Sequence, residues 1–244
     1  GTLGAVEVKR APADGHTLMC TISTTLILNR GTIKNLPYDP MADFVMVSSV
    51  ASAGLPMAVS QTCGATNLKE FIDYARKTGK VSFGTYSAGS PAHMMIEELN
   101  KQYGVKMEPV HYRGEAPMWA DLASQSVDAA IGSYNAGLGV IQSGRGKVIG
   151  ISANRIRPMP DVPTLREQGA TSKIFGLKTF TAWAAPVGTP PDILKKLSDV
   201  FVAGGKDPKL QEVLDGFTLD PAIDHVAAQK MLQDESPIWL DIQA

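Results

Sequence analysis

Cysteine is nearly absent from this chain, and so are long apolar runs and any excess of charge of one sign. Two cysteines, Cys20 and Cys63, are too few for a disulfide framework, and their spacing matches no metal motif. Cys20 lies in the apolar stretch His16–Ile22, where a buried free thiol is the expectation, and a single Cys20–Cys63 bridge is left open. No window reaches the run of about 18 apolar residues that a spanning helix needs, so direct membrane insertion is not expected. The start has no basic segment leading into an apolar one, the pattern of a chain without a signal peptide. A mature or trimmed chain would read the same way, so composition leaves the compartment open. With 23 basic and 24 acidic residues the formal net charge is -1, which gives no global field to draw in nucleic acid. Any anionic partner has to be recognised locally.

What is present is an alternation of strand-like and helical segments over 244 residues, enough for two α/β lobes. Thr17–Ile22 reads as a strand opened by the turn Pro12-Ala13-Asp14-Gly15. Extended apolar stretches follow at Phe44–Val50 and Pro56–Ser60. Asn67–Thr78 has Leu68, Phe71, Ile72 and Ala75 at helical spacing, and Ser90–Tyr103 has Ala92, Met95, Ile96 and Leu99. Strands at 80–85, 107–112, 127–132 and 147–152 alternate with helices at 116–123 and 134–142. After the extended stretch Phe180–Pro186, Pro190 and Pro191 open a helix striped by Ile193, Leu194, Leu197, Val200 and Phe201. Helices near 208–214 and 224–240 close the chain. This alternation predicts a mainly parallel sheet with helices on both faces. No repeat or linker breaks it, so the domain boundaries are expected where extended strands cross, near 51–60 and 177–186. That gives a discontinuous first lobe, 1–55 with 181–244, and a second lobe, 56–180. The start, Gly1-Thr2-Leu3-Gly4 running straight into a helix at 5–10, reads as the second half of a βα unit.

The segment richest in chemistry is Val81–His93. A strand runs out into the small, hydroxyl-rich loop Thr85-Tyr86-Ser87-Ala88-Gly89, and Ser90-Pro91 is an N-cap followed by proline at the first helical position. Unpaired N–H groups and the positive end of the helix dipole are expected there, able to hold a carboxylate or phosphate without an arginine. The blander reading is that Ser90 only caps its helix. Tyr112-Arg113-Gly114 and Gly132-Ser133-Tyr134-Asn135 are further strand ends with polar groups, and together the three favour a binding crevice at the sheet's carboxyl edge. A hydrolase fits less well, because a nucleophile elbow needs glycine where Thr85 stands, and no acid is placed to orient His93. His16, His111 and His225 share no ligand spacing, and Gly137-x-Gly139 falls within a helix, so neither a metal nor a nucleotide cofactor is expected.

At these residues the chain resembles the substrate-binding proteins of tripartite tricarboxylate transporters, the Bug family. Pro12-Ala13-Asp14-Gly15-His16-Thr17-Leu18 is similar to the family's Pro-x-Asp-Gly-Tyr-Thr-Leu. Leu36-Pro37-Tyr38-Asp39-Pro40 with Asp43-Phe44 matches its most recognisable stretch. Phe83–His93, Tyr112-Arg113-Gly114, Gln125 with Val127-Asp128, Asp161-Val162-Pro163-Thr164 and Ala185-Pro186 with Gly188-Thr189-Pro190 follow in the family's order. The resemblance implies a type II periplasmic binding-protein fold, two α/β lobes joined by crossing strands. It implies a periplasmic, non-enzymatic protein that traps a small organic acid, often a dicarboxylate, and delivers it to membrane permease subunits. The same fold used as a ligand-sensing domain of a regulatory system is the alternative. By position, the implied ligand-binding residues are Thr24, Ser87, Ala88, Gly89, Ser90, His93, Tyr112, Gly132 and Ser133. Tyr86 and Ser87 stand where the family usually has Ser and Gly, and Gly132-Ser133 where an Asp-Asn pair is common. The family's opening strand, ligand loop and first helix precede the point where this sequence starts.

Overall fold

The structure, a computed structural model, describes residues 1–243 and divides into two compact units. Unit 1 is Gly1–Ser52 together with the chain from Thr179 onward, and unit 2 is Ala53–Lys178.

Unit 1 is built on three strands, β1 (Met19–Ile22), β2 (Phe44–Ala51) and β8 (Phe180–Pro186), in the order β1-β8-β2. Both pairings are antiparallel, Met19 facing Ala184 and Phe44 facing Pro186, with a register shift in β2 between Met46 and Ser48. The outer edge of β2 is not bare. Ile223 donates its N–H to Ser49 O at 2.9 Å, and the Gln229 side chain accepts from Met46 N at 3.1 Å. Helix α1 (Thr2–Arg10) packs on β8, while α7 (Pro191–Gly204) and α9 (His225–Gln243) pack on β2. Val47, Ala185 and Leu194 form the centre of that packing, with Trp183 stacked on Phe201 at 4.6 Å between ring centroids. The helix α8 (Pro208–Gly216) is capped by the Asp207 carboxylate, which accepts from Lys209 N at 2.9 Å. After β1 the chain enters a π-helix, Thr24–Leu28, which runs on into α2 (Asn29–Thr32).

Unit 2 has a five-stranded sheet in the order β5-β4-β6-β3-β7, made of β3 (Pro56–Ser60), β4 (Val81–Thr85), β5 (Met107–His111), β6 (Ala129–Ile131) and β7 (Gly146–Ile151). β4 is parallel to β5 and β6, whereas β3 is antiparallel to β6 and β7. Four helices accompany it: α3 (Leu68–Thr78), α4 (Pro91–Tyr103), α5 (Glu115–Ala123) and α6 (Tyr134–Gln142). α3 buries the predicted stripe Leu68, Phe71, Ile72 and Ala75, begins where Asn67 accepts from Glu70 N, and ends at Gly79 with φ 70. Asp128 ties this end of the sheet together, accepting from Tyr74 Oη, Ser82 N and Ser82 Oγ. A short 3-10 turn, Lys173–Gly176, precedes the return to unit 1.

Two expectations fail here. The sheets are not mainly parallel: both pairings in unit 1 and those of β3 in unit 2 are antiparallel. Strand–helix alternation shows that connections are long enough for parallel crossovers, but it does not choose neighbours. β8, from the far end of the sequence, is what separates β1 from β2. Cys20 is exposed, not buried, because the inward positions of β1 are Met19 and Thr21; both cysteines are free thiols.

Candidate functional site

Because β4, β5 and β6 run parallel, Thr85, His111 and Ile131 all end on one edge of the unit 2 sheet, and the loops after them lie together. The ladder even continues past the strands, with Tyr112 N donating to Thr85 O at 2.9 Å and Gly114 N to Tyr86 O at 3.0 Å. The three polar strand ends expected from sequence are thus brought onto one edge.

Their hydrogen-bonding groups, however, are largely engaged within the protein. Ser90 is fully buried and caps α4: its Oγ accepts from His93 N at 3.3 Å and donates to Ser87 O at 2.7 Å. Ser90 N also donates to Ser87 O, and Gly89 N donates to His93 Nδ1 at 3.0 Å. The Tyr86 phenol lies near the start of α4, close to Ser90 and Ala92. Burial and the nearby Glu115 carboxylate push that phenol's pKa up, and it stays a neutral hydroxyl. Of the N–H groups expected to be unpaired here, those of Gly89, Ser90 and His93 have partners inside the protein. Among the described residues, Tyr86, Ser87 and Ala88 are the positions of this loop whose N–H groups find no acceptor.

The other two strand ends are closed in the same manner. Glu115, the first residue of α5, holds the start of α6: both carboxylate oxygens accept from Ser133 N at 3.1 Å, and Ser133 Oγ donates to Glu115 Oε2. The protein's own carboxylate occupies the α6 N-terminus. Tyr112 Oη donates to Asp121 at 2.7 Å, which with burial raises its pKa. Gly132 is required by packing: a Cβ there would sit 2.7 Å from Met118 Cε and 3.0 Å from Trp119 Nε1.

His93 is half-buried and braces the loop. Its Nδ1 accepts from Gly89, which puts the proton of the neutral ring on Nε2, 3.7 Å from Glu97 Oε1. Its ring meets His111 edge-on at 4.6 Å, and His111 Nδ1 lies 2.8 Å from Thr85 Oγ1. Burial, and secondarily His111, lower the His93 pKa against the opposing pull of Glu97. Among the described residues no imidazole nitrogen is hydrogen-bonded to a serine hydroxyl: Ser90 Oγ meets His93 through the His93 backbone N–H. That arrangement cannot activate a nucleophile.

Thr24 belongs to unit 1 and the other predicted residues to unit 2, and its state is the reverse of theirs. Its Oγ1 is buried with no hydrogen-bond partner, a buried polar atom with its bonding capacity unspent. Sequence reading missed Glu115, since its partner Ser133 lies on another loop. A carboxylate at the first position of α5 was the only local hint. Among the described residues no three metal-type side chains converge, and no helix is long and apolar enough to cross a membrane.

The sequence matches the family described as "Tripartite tricarboxylate transporter family receptor" over residues 1–242. A UPF0065 protein from the tcbD-tcbE intergenic region of Pseudomonas sp. strain P51 is 30% identical over 200 residues, covering 81% of this chain and 59% of that protein. An R. palustris protein solved with adipate superimposes with a TM-score of 0.91 at 26% identity, covering 99% of this chain and 81% of that one. MatC from Rhodopseudomonas palustris, solved with bound malate, gives 0.85 at 25% identity, covering 100% and 84%. This chain spans 66%, 59% and 58% of the lengths of three curated relatives that it matches.

Proposed function

We propose, for a chain that belongs to the tripartite tricarboxylate transporter receptor family, that it is a periplasmic solute-binding protein whose ligand is a small organic acid. The α/β fold is a periplasmic binding-protein fold, and relatives of that fold are solved with adipate and with malate. On this reading the two compact units are the lobes of the binding protein, a dicarboxylate is the preferred ligand class, and a membrane permease receives it.

The observation that carries the reading is the state of the donors. The Ser87 and Ala88 N–H groups are open at a helix beginning, and the Thr24 hydroxyl is buried without a partner. Donors of this kind suit a carboxylate held by neutral groups in place of a countercharge. The contacts proposed are Thr24 in unit 1 and, in unit 2, Ser87, Ala88 and His93. Gly89, Ser90, Tyr112, Gly132 and Ser133, with their hydrogen bonds spent or their space filled, are proposed as the frame that holds them. Arg113, exposed in the loop after β5, directly follows Tyr112 in the chain.

A thermal-shift series with malate, adipate and a panel of mono- and dicarboxylates tests this. A ligand at a hundredfold excess over its Kd adds about 2.7 kcal/mol. For a chain of this size that raises Tm by roughly 5–10 °C. A flat Tm across the whole panel at millimolar concentration contradicts the proposal.

A further inference from the structure

The stretch Leu36-Pro37-Tyr38-Asp39-Pro40 is prominent in the sequence, yet the proposed site does not use it. Its position explains why it is there. Tyr38 is 4% exposed, and its ring packs edge-on against Phe44 at 5.9 Å. Its hydroxyl donates to Thr25 O at 2.8 Å and accepts from Asn29 Nδ2 at 2.9 Å. Thr25 lies in the π-helix after β1, next to Thr24, and Asn29 is the residue that closes it.

A π-turn needs such help. In it Asn29 N reaches back to Thr24 O, so the regular α-helical ladder is broken over this stretch. Side chains take over: Tyr38 covers Thr25 O, while Thr32 Oγ1 and Gln243 Nε2 each donate to Leu28 O at 3.1 Å. Leu26, Ile27 and Leu28 are completely buried beneath, so the wide turn cannot relax without leaving a carbonyl stranded. The wide turn sets where Thr24 stands, and Thr24 Oγ1 is left buried and unpartnered. Such an atom keeps its bonding capacity for a group from outside the protein, a water or a ligand.

We propose that Tyr38 is the positioning residue of the unit 1 ligand contact: its hydroxyl locks the π-turn in the form that presents Thr24 Oγ1 to an acceptor oxygen of the ligand. Tyr38 does not touch the ligand and acts through Thr24. The proposal rests on the solute-binding reading for the identity of that acceptor, a carboxylate oxygen, but the lock itself stands without it.

Two measurements test the lock and its purpose separately. In Tyr38→Phe, which keeps the ring and deletes the hydroxyl, amide hydrogen exchange at Thr24–Asn29 is expected to speed up about tenfold, with the amides of unit 2 unchanged. Unchanged protection at Thr24–Asn29 overturns the proposal. Asn29→Ala, which removes one donor at a half-buried position, should show the same local change at about threefold and serves if Tyr38→Phe does not fold. The purpose is read by a double-mutant cycle on the affinity for malate and adipate. Thr24→Val and Tyr38→Phe should each weaken binding, and Tyr38→Phe should cost nothing more once Thr24 is Val. A full additional loss in the Thr24→Val background shows that Tyr38 acts by another route and overturns the proposal. If the unaltered protein binds neither acid, the choice of ligand class fails, and the exchange measurement still decides the lock.

Discussion

The polar residues expected to meet a ligand are in opposite states in the two units. In unit 2 nearly every group that looked ready for a ligand is already bonded: Ser90 to Ser87 O and His93 N, Ser133 to Glu115, Tyr112 to Asp121, and Gly89 to His93. In unit 1 the Thr24 hydroxyl has no partner although it is buried. The contrast teaches that a polar residue at a strand end is ambiguous until its hydrogen bonds are accounted for. Capping and ligand holding use the same atoms. Only an atom with unspent capacity can do the second without giving up the first.

This comparison can be broken by substitution. The largest effect should come from Gly132→Ala, whose Cβ would press on Met118 and Trp119 within the core of unit 2. Overpacking of this kind costs about 1–3 kcal/mol, and urea unfolding should show it at the upper end. Glu115→Ala strands Ser133 N at the start of α6 and removes a charge-assisted bond, a loss of about 2 kcal/mol in the same assay. Ser90→Ala removes an N-cap and should cost about 1 kcal/mol. If any of the three left stability intact while abolishing binding, the assignment of that residue to the frame would be wrong.

The smallest effect is one of pH. His93 has its pKa lowered in the folded protein, so folding favours the neutral ring that accepts from Gly89. Above an unfolded value of about 6.5 both states are neutral and His93 adds no pH dependence. As pH falls below that value the unfolded chain takes up the proton first, and stability declines until pH passes the folded value. Glu97 and His111 are the titratable groups facing the ring, one favouring and one opposing its charge. His93→Gln, which keeps an acceptor but cannot titrate, should flatten part of the decline in unfolding curves taken between about pH 7.5 and 5. A decline of undiminished slope would place the responsible group elsewhere.

Much of this was legible locally. The stripe Leu68, Phe71, Ile72 and Ala75 and the pair Ser90-Pro91 marked α3 and α4, since capping and helical period act within a few residues. The α/β class followed from the alternation. What escaped was non-local or irregular. The direction of β8 between β1 and β2 depends on a partner more than a hundred residues away. Cys20 read as buried because its neighbours are apolar, yet it faces outward on an edge strand. The π-helix at Thr24–Leu28 has no periodic signature, and the stretch that buries Leu26, Ile27 and Leu28 was assigned no element from sequence. Glu115 was visible as a residue, but nothing near it in sequence announces that it fills the start of α6.

The central claim, that unspent polar capacity marks the ligand contacts, meets its most direct test in calorimetric titration of adipate and malate into the unaltered protein, Thr24→Val and Ser90→Ala. Thr24→Val should weaken binding about tenfold while Tm holds or rises, because a buried unpaired hydroxyl has been replaced by a methyl. Ser90→Ala should lower Tm and leave Kd within about twofold. Full affinity in Thr24→Val, or a collapse of affinity in a stable Ser90→Ala, would contradict the account.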